Sequence, residues 1–170
     1  MGAFVLENGL AAASLRPLAK AAGTSDRMLI YHFKSKDNLM SQLLDLLSRK
    51  LADDIIDAVP PGQSASRSAC LDEIVGLVRS PDMRPVLNFW LDSAALAARQ
   101  SEAHCRADQK ITRAFQKWIV SRLPKDDPDP SRAVALLVMC LKGTLFLDAA
   151  GGASVADIAR SELNRLEHQK

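Results

Sequence analysis

Apolar residues recur along this chain at intervals of three and four, the spacing that lines one face of a helix. The longest run is Leu39, Leu43, Leu47, Leu51 and Ile55, one residue in every four. No stretch alternates apolar and polar residues between turn dipeptides, so strands are not expected. Breaks fall at Gly9, Gly23, Pro60-Pro61-Gly62, Ser80-Pro81, Pro124 to Pro130 and Gly151-Gly152. Between them the pattern predicts an all-α chain. Residues 2–8 read as the end of a first helix, stopped by Gly9. A second helix runs from a Ser14 cap to about Ala22, and Gly23 ends it. Thr24 or Ser25 caps a short third helix through about Phe33. Ser35 caps a long fourth helix, with Asp37 in its first turn. Further helices are expected over about 66–79, 82–99, 102–123, 131–150 and 154–168. Ser154 with Asp157 reads as a capping-box-like start for the last one. The segment Pro124 to Pro130 cannot continue a helix and is expected to be an exposed loop.

Residues 14–33 hold the most specific pattern. Leu15, Leu18 and Ala19 give the second helix an inner face, and Ala19 is small where two helices must cross closely. Gly23 sits where a sharp turn needs positive φ. Leu29 and Phe33, four apart, anchor the next helix. Its other face and N-terminal end then offer Ser25, Asp26, Arg27, Met28, Tyr31 and His32. This is a helix-turn-helix whose second helix has the polar tip that reading a major groove requires. Arg16, Lys34 and Lys36 flank it within reach of phosphates.

Charge sharpens this reading. The net charge is only +2, but residues 1–50 carry seven Lys/Arg against four Asp/Glu, whereas the other 120 carry 15 against 16. The positive excess lies with the proposed DNA-binding segment. Composition removes other classes. No run approaches the roughly 20 apolar residues of a membrane span, and no basic region precedes the short apolar start, so a cytoplasmic protein is expected. Cys70, Cys105 and Cys140 lie far apart, without metal-site or disulfide spacing; they read as small buried residues, with redox sensing the alternative. His32, His104 and His168 form no cluster, so no metal and no cofactor are expected. No hydrolase, P-loop or dinucleotide fingerprint occurs, so no enzyme is expected.

The segments Glu7-Asn8-Gly9, Ser14-Leu15-Arg16 with Leu18-Ala19, Gly23-Thr24-Ser25, Leu29-Ile30-Tyr31-His32-Phe33 and Ser35-Lys36-Asp37-Asn38-Leu39 resemble, in type and spacing, the tetracycline-repressor (TetR) family of bacterial regulators. The likeness covers about residues 3–45. Two departures stand out: Ile30 occupies a position where the family commonly has Tyr, and the first helix lacks a turn or two and a preceding basic arm. The resemblance implies an N-terminal helix-turn-helix three-helix domain followed by a C-terminal helical domain for ligand binding and dimerisation. It implies DNA-facing roles for Ser14, Arg16, Ser25, Asp26, Arg27, Met28, Tyr31, His32 and Lys36.

The expected organisation is therefore residues 1–45 as the DNA-binding domain, 46–60 as the connecting part of the fourth helix, and 61–170 as the regulatory and dimerisation domain. One recognition helix buries little surface, so a homodimer is expected, pairing through the last two helices. Leu137, Leu141 and Leu145 line one of them; Val155, Ile158, Leu163 and Leu166 line the other. The same stripes would also serve packing inside one chain. Residues 82–123 hold both tryptophans, and the resemblance places a small-molecule effector there. Phe89, Trp90, Arg113, Trp118 and Asp148 are the expected pocket residues, although aromatics at this spacing equally suit a plain core. The expected function is a repressor of the TetR type that binds double-stranded operator DNA and is released by a ligand. The alternative is a helical interaction or scaffold protein that binds no DNA.

Overall fold

The computed structural model describes residues 1–57, 62–99 and 101–167. Pro60, Pro61 and His168, singled out above, lie outside them. Among the described residues the fold is all-helical, as expected: α1 (Gly2–Asn8), α2 (Leu15–Ala21), α3 (Asp26–Phe33), α4 (Lys36–Asp57), α5 (Arg67–Arg79), α6 (Arg84–Ala97), α7 (Glu102–Arg122), α8 (Pro130–Ala149) and α9 (Ala153–Glu167). Short 3-10 turns, Leu10–Ala12 and Pro81–Met83, precede α2 and α6. No described helix is long and apolar enough to cross a membrane.

The chain forms two compact units, each discontinuous in sequence. One joins Met1–Asp54 to Pro85–Ile111; the other joins Ile55–Arg84 to Thr112–Lys170. The sequence suggested a division that follows the chain through residues 46–60. The compact units instead recruit α6 and the first half of α7 to the N-terminal segment.

In the first unit Val5, Leu18, Leu39, Leu44, Leu51, Leu87, Phe89, Trp90 and Ile111 are buried. The stripe from Leu39 to Leu51 is buried at every step. Polar groups tie the helices at the edge of this core. Trp90 Nε1 donates to Asp108 Oδ1 at 2.8 Å, so the indole is buried without an orphaned N–H. Lys110 pairs with Asp45, which Arg49 also contacts at 2.8 Å. The Lys110 hydrogen bond holds the Asp45 carboxyl below its ordinary value.

In the second unit α5 packs on α8 and α9 around Ile74, Leu137 and Leu141. Ion pairs surround this core. Arg79 reaches Asp148 and Asp157, both at 2.8 Å, and Arg160 reaches Asp72 at 2.7 Å, so α5 is bridged to both later helices. Arg122 pairs with Glu73 at 2.8 Å, and Glu73 also accepts from Ser64. Burial pushes the Cys70 thiol up to about 11 and raises that of Cys140, so neither is a ready thiolate.

Two sequence expectations are corrected here. Ser154 does not cap α9, because the helix already starts at Ala153. The end of α8 turns back on itself, with the Gly152 amide bonded to the Leu147 carbonyl at 2.6 Å, and the Gly152 carbonyl accepts from Val155. Asp157 is left to pair with Arg79. Nor is the Pro124–Pro130 segment simply an exposed loop. The Asp127 side chain is only 2% exposed and takes two bonds from Arg67, at 2.6 and 2.5 Å. It also accepts from the Asp129 amide, while Asp129 caps α8 through Arg132 N–H.

Arg67 holds the Asp127 carboxyl below its ordinary value of 3.8. A carboxylate whose folded pKa is depressed adds stability above the unfolded pKa and loses it as pH falls toward the folded one. Asp127→Asn is therefore expected to cost about 3 kcal/mol at neutral pH, the low end for breaking a buried pair, because Arg67 keeps some water. In urea titrations, the gap between wild type and variant should narrow below pH 3.8. A gap that stays constant down to pH 2 would contradict this.

Candidate nucleic-acid interface

The residues that matter here are placed by caps and by one buried face. The α2 helix starts after Ser14 and buries Leu18 and Ala19. Gly23, at φ +64°, lets the chain reverse: the Gly23 amide bonds the Lys20 carbonyl and the Thr24 amide bonds the Ala19 carbonyl. A side chain at that φ would be strained. Ser25 then caps α3, its Oγ accepting from Met28 N–H at 3.3 Å, with Asp26 in the first turn. The alternative cap, Thr24, lies one residue too early.

α2 packs on α3. Leu29 is the one fully buried residue of α3, and Phe33 is half-buried behind it. The helix ends against α4. Asn38 Nδ2 donates to the Phe33 carbonyl at 2.7 Å, while the Asn38 amide bonds Ser35 Oγ at 3.1 Å, so Ser35 caps α4 as expected. One residue, Lys34, bridges α3 and this cap at φ +67°, the only non-glycine with positive φ among the described residues.

This arrangement turns one set of side chains outward together. Ser25, Arg27, Met28, Tyr31 and His32 are exposed, Asp26 is half-buried, and Ser14, Arg16 and Lys36 are exposed beside them. Tyr31 is 66% exposed, an unusual position for a tyrosine with no packing task. It is held from both sides: His32 meets it edge-on at 5.4 Å, and Lys34 Nζ lies 5.1 Å from its ring centre while donating to its carbonyl. Lys34 was noted in the sequence only as a flank; its positive φ is invisible there. Ile30 is half-buried, so its departure from the family's tyrosine puts an apolar group partly inside rather than on the outer face.

Residues 5–43 match the profile of the bacterial regulatory proteins, tetR family. The chain carries a tetR-family N-terminal domain. The match begins at the buried Val5 of α1 and ends at the buried Leu43 of α4, so it spans the helix-turn-helix with the helices that brace it. A solved structure from Rhodococcus sp., by name a TetR-family transcriptional regulator, is similar over 95% of this chain and 89% of its own, with a TM-score of 0.66 and 20% identity. That likeness extends the shared fold beyond the tetR domain to the later helices. No curated protein matches the chain.

The other expected sites fare differently. Phe89 and Trp90 are core residues of the first unit; Trp118 is core in the second, edge-on to Phe115. Arg113 is exposed, and Asp148 is engaged by Arg79. The five thus fall in two units, and four of them do structural work or face solvent; Phe89 alone among them lines the described cavity, at α1 and α6. Of the expected pairing surface, Leu137, Leu141 and Leu145 are buried within their own chain, because that side of α8 faces α5. Val155, Ile158 and Leu166 are exposed, Leu163 is half-buried, and α8 exposes Met139 and Phe146 instead.

Lys34→Gly separates the backbone from the charge at this joint. It should raise stability by about 1 kcal/mol by relieving the positive φ. It should also reduce the salt slope of DNA binding by about one, by removing one phosphate-reaching cation. Thermal melting and a salt titration read the two effects; loss of stability would contradict the first.

Proposed function

We propose that this protein is a DNA-binding transcriptional regulator that acts as a homodimer, and that it is a repressor released from its operator by a small molecule. The observation that carries the DNA-binding part is the outward set Arg27, Tyr31 and His32 on a capped, eight-residue helix within the matched tetR domain. Laid in a major groove, α3 would bring Ser25, Asp26, Arg27 and Met28 to base edges from its N-terminal end. Tyr31, His32 and Lys36 would meet the backbone, with Ser14 and Arg16 of the preceding helix on the adjoining phosphates. The N-terminal segment would thus recognise double-stranded operator DNA, leaving regulation and pairing to residues 61–170.

Pairing is supported by Met139, Phe146, Val155, Ile158 and Leu166, which are 49–71% exposed on two helices that pack together. That much apolar surface on one helix pair is costly in water. A second copy seated on it would complete a four-helix bundle. The ion pairs from Arg79 and Arg160 brace α8 and α9 from the α5 side, leaving this face free. The small-molecule part is supported by the shared fold; the residues first expected to form its pocket are mostly core, so the effector would bind elsewhere.

Two measurements test this. Selection from random-sequence DNA followed by gel shift should yield a site bound more tightly than bulk DNA. Arg27→Ala with Tyr31→Ala should cost about 1–3 kcal/mol per lost contact on that site and leave thermal stability unchanged. Equal affinity for every sequence would favour a scaffold without specific DNA binding. Ile158→Glu should convert a sedimenting dimer to monomer and weaken operator binding by about two orders of magnitude through lost bivalency. A wild type that sediments as monomer at micromolar concentration would remove the dimer.

A further inference from the structure

Residues 8–36 carry five Lys/Arg and a single acid, Asp26. It is the first residue of α3, half-buried beside the exposed Arg27. The helix does not depend on it for a cap, because Ser25 Oγ already accepts the Met28 N–H. Among the described residues the Asp26 carboxylate has neither an ion pair nor a hydrogen bond, and the Arg27 guanidinium has none either. What Asp26 gives to folding is a favourable charge in the first turn, which acts weakly at a surface. On a face that meets DNA, an unpaired carboxylate repels every phosphate alike and weakens binding to all sequences. Any gain must come from a base edge. An ionised carboxylate accepts and never donates. In the major groove guanine shows two acceptors, thymine an acceptor and a methyl group, and adenine a donor beside an acceptor; cytosine shows a donor alone. The Asp26 carboxylate therefore fits cytosine and is repelled most by guanine. Arg27 is its converse, five donors and no acceptor, which fits guanine O6 and N7. Consecutive residues of a helix diverge by about 100° and rise about 1.5 Å. The two side chains thus fan out to separate bases in neighbouring positions rather than neutralising each other.

We propose that Asp26 is a specificity-determining residue for DNA, and that its carboxylate accepts from the N4 amino group of a cytosine in the major groove. With Arg27 on guanine, each half-site carries a G·C pair whose cytosine is fixed by Asp26. This rests on the regulator reading above and adds the base that the site demands. The carboxylate acts chiefly by exclusion: it lowers affinity for the other bases at that position more than it raises affinity for cytosine.

The test uses the full chain as wild type, Asp26→Asn and Asp26→Ala, with duplexes that each selects from random sequence. Wild type should select cytosine at one position of the half-site. Replacing that base pair in the wild-type duplex should weaken binding about tenfold or more, most for guanine and least for adenine. Asp26→Asn offers a donor and an acceptor, so the same position should change to adenine while the rest of the site stays. Asp26→Ala should accept any base there and bind bulk DNA at low salt at least as tightly as wild type, since the repelling charge is gone. A residue that only supports the start of α3 would behave otherwise: its loss would lower affinity for all sequences alike and leave the selected bases unchanged. A cytosine retained by both variants, or a wild-type site with no cytosine-specific position, overturns the proposal while the regulator reading stands. If wild type selects no DNA, the regulator reading falls and the proposal with it.

Discussion

An eight-residue helix cannot hold itself together in water; isolated helices below about 12–15 residues are marginal even with good helix formers. The whole outward surface of α3 depends on how this protein meets that constraint. Ser25 satisfies an amide at its start, Asn38 takes a carbonyl at its end, and Leu29 is buried on its inner side. Stability therefore comes from the two ends and one face. The remaining face carries no folding duty, so Arg27, Tyr31 and His32 are free to be chosen for recognition. Lys34 marks the tension in this design, since the tight passage into α4 forces a side-chain-bearing residue to positive φ.

The second unit solves a different problem with different means. α8 is apolar around much of its circumference, which is the pattern of a helix enclosed on more than one side. Its Leu137, Leu141 and Leu145 side is closed by α5, and the opposite side, with Met139 and Phe146, is open. Arg79 and Arg160 lock α8 and α9 to α5 through part-exposed ion pairs. Such pairs add modest stability individually but fix relative orientation when several act together. A rigid helix pair with one open apolar face is what a self-complementary interface needs.

Local signals were legible in the sequence because they are set by neighbours in the chain. The caps at Ser25 and Ser35, the turn at Gly23 and the four-residue leucine stripe of α4 all act within five residues, and all stand where they were expected. What escaped was long-range. Asp92 capping Leu10 and Arg67 gripping Asp127 join residues 82 and 60 positions apart, and no periodicity announces them. Ser154 failed as a cap because the tight α8–α9 turn starts the helix one residue earlier. For α8, a stripe drawn through leucines could not say which of two apolar sides faces inward.

The proposed function depends above all on where DNA touches the chain. Amide spectra of the labelled protein, recorded with and without the DNA it selects, would locate that contact. Shifts are expected to concentrate in residues 14–36, strongest at Arg27, Tyr31 and His32, with Val155, Ile158 and Leu166 unmoved at constant dimer state. Shifts centred on α5, α8 or α9, with residues 25–32 unchanged, would contradict the proposed function.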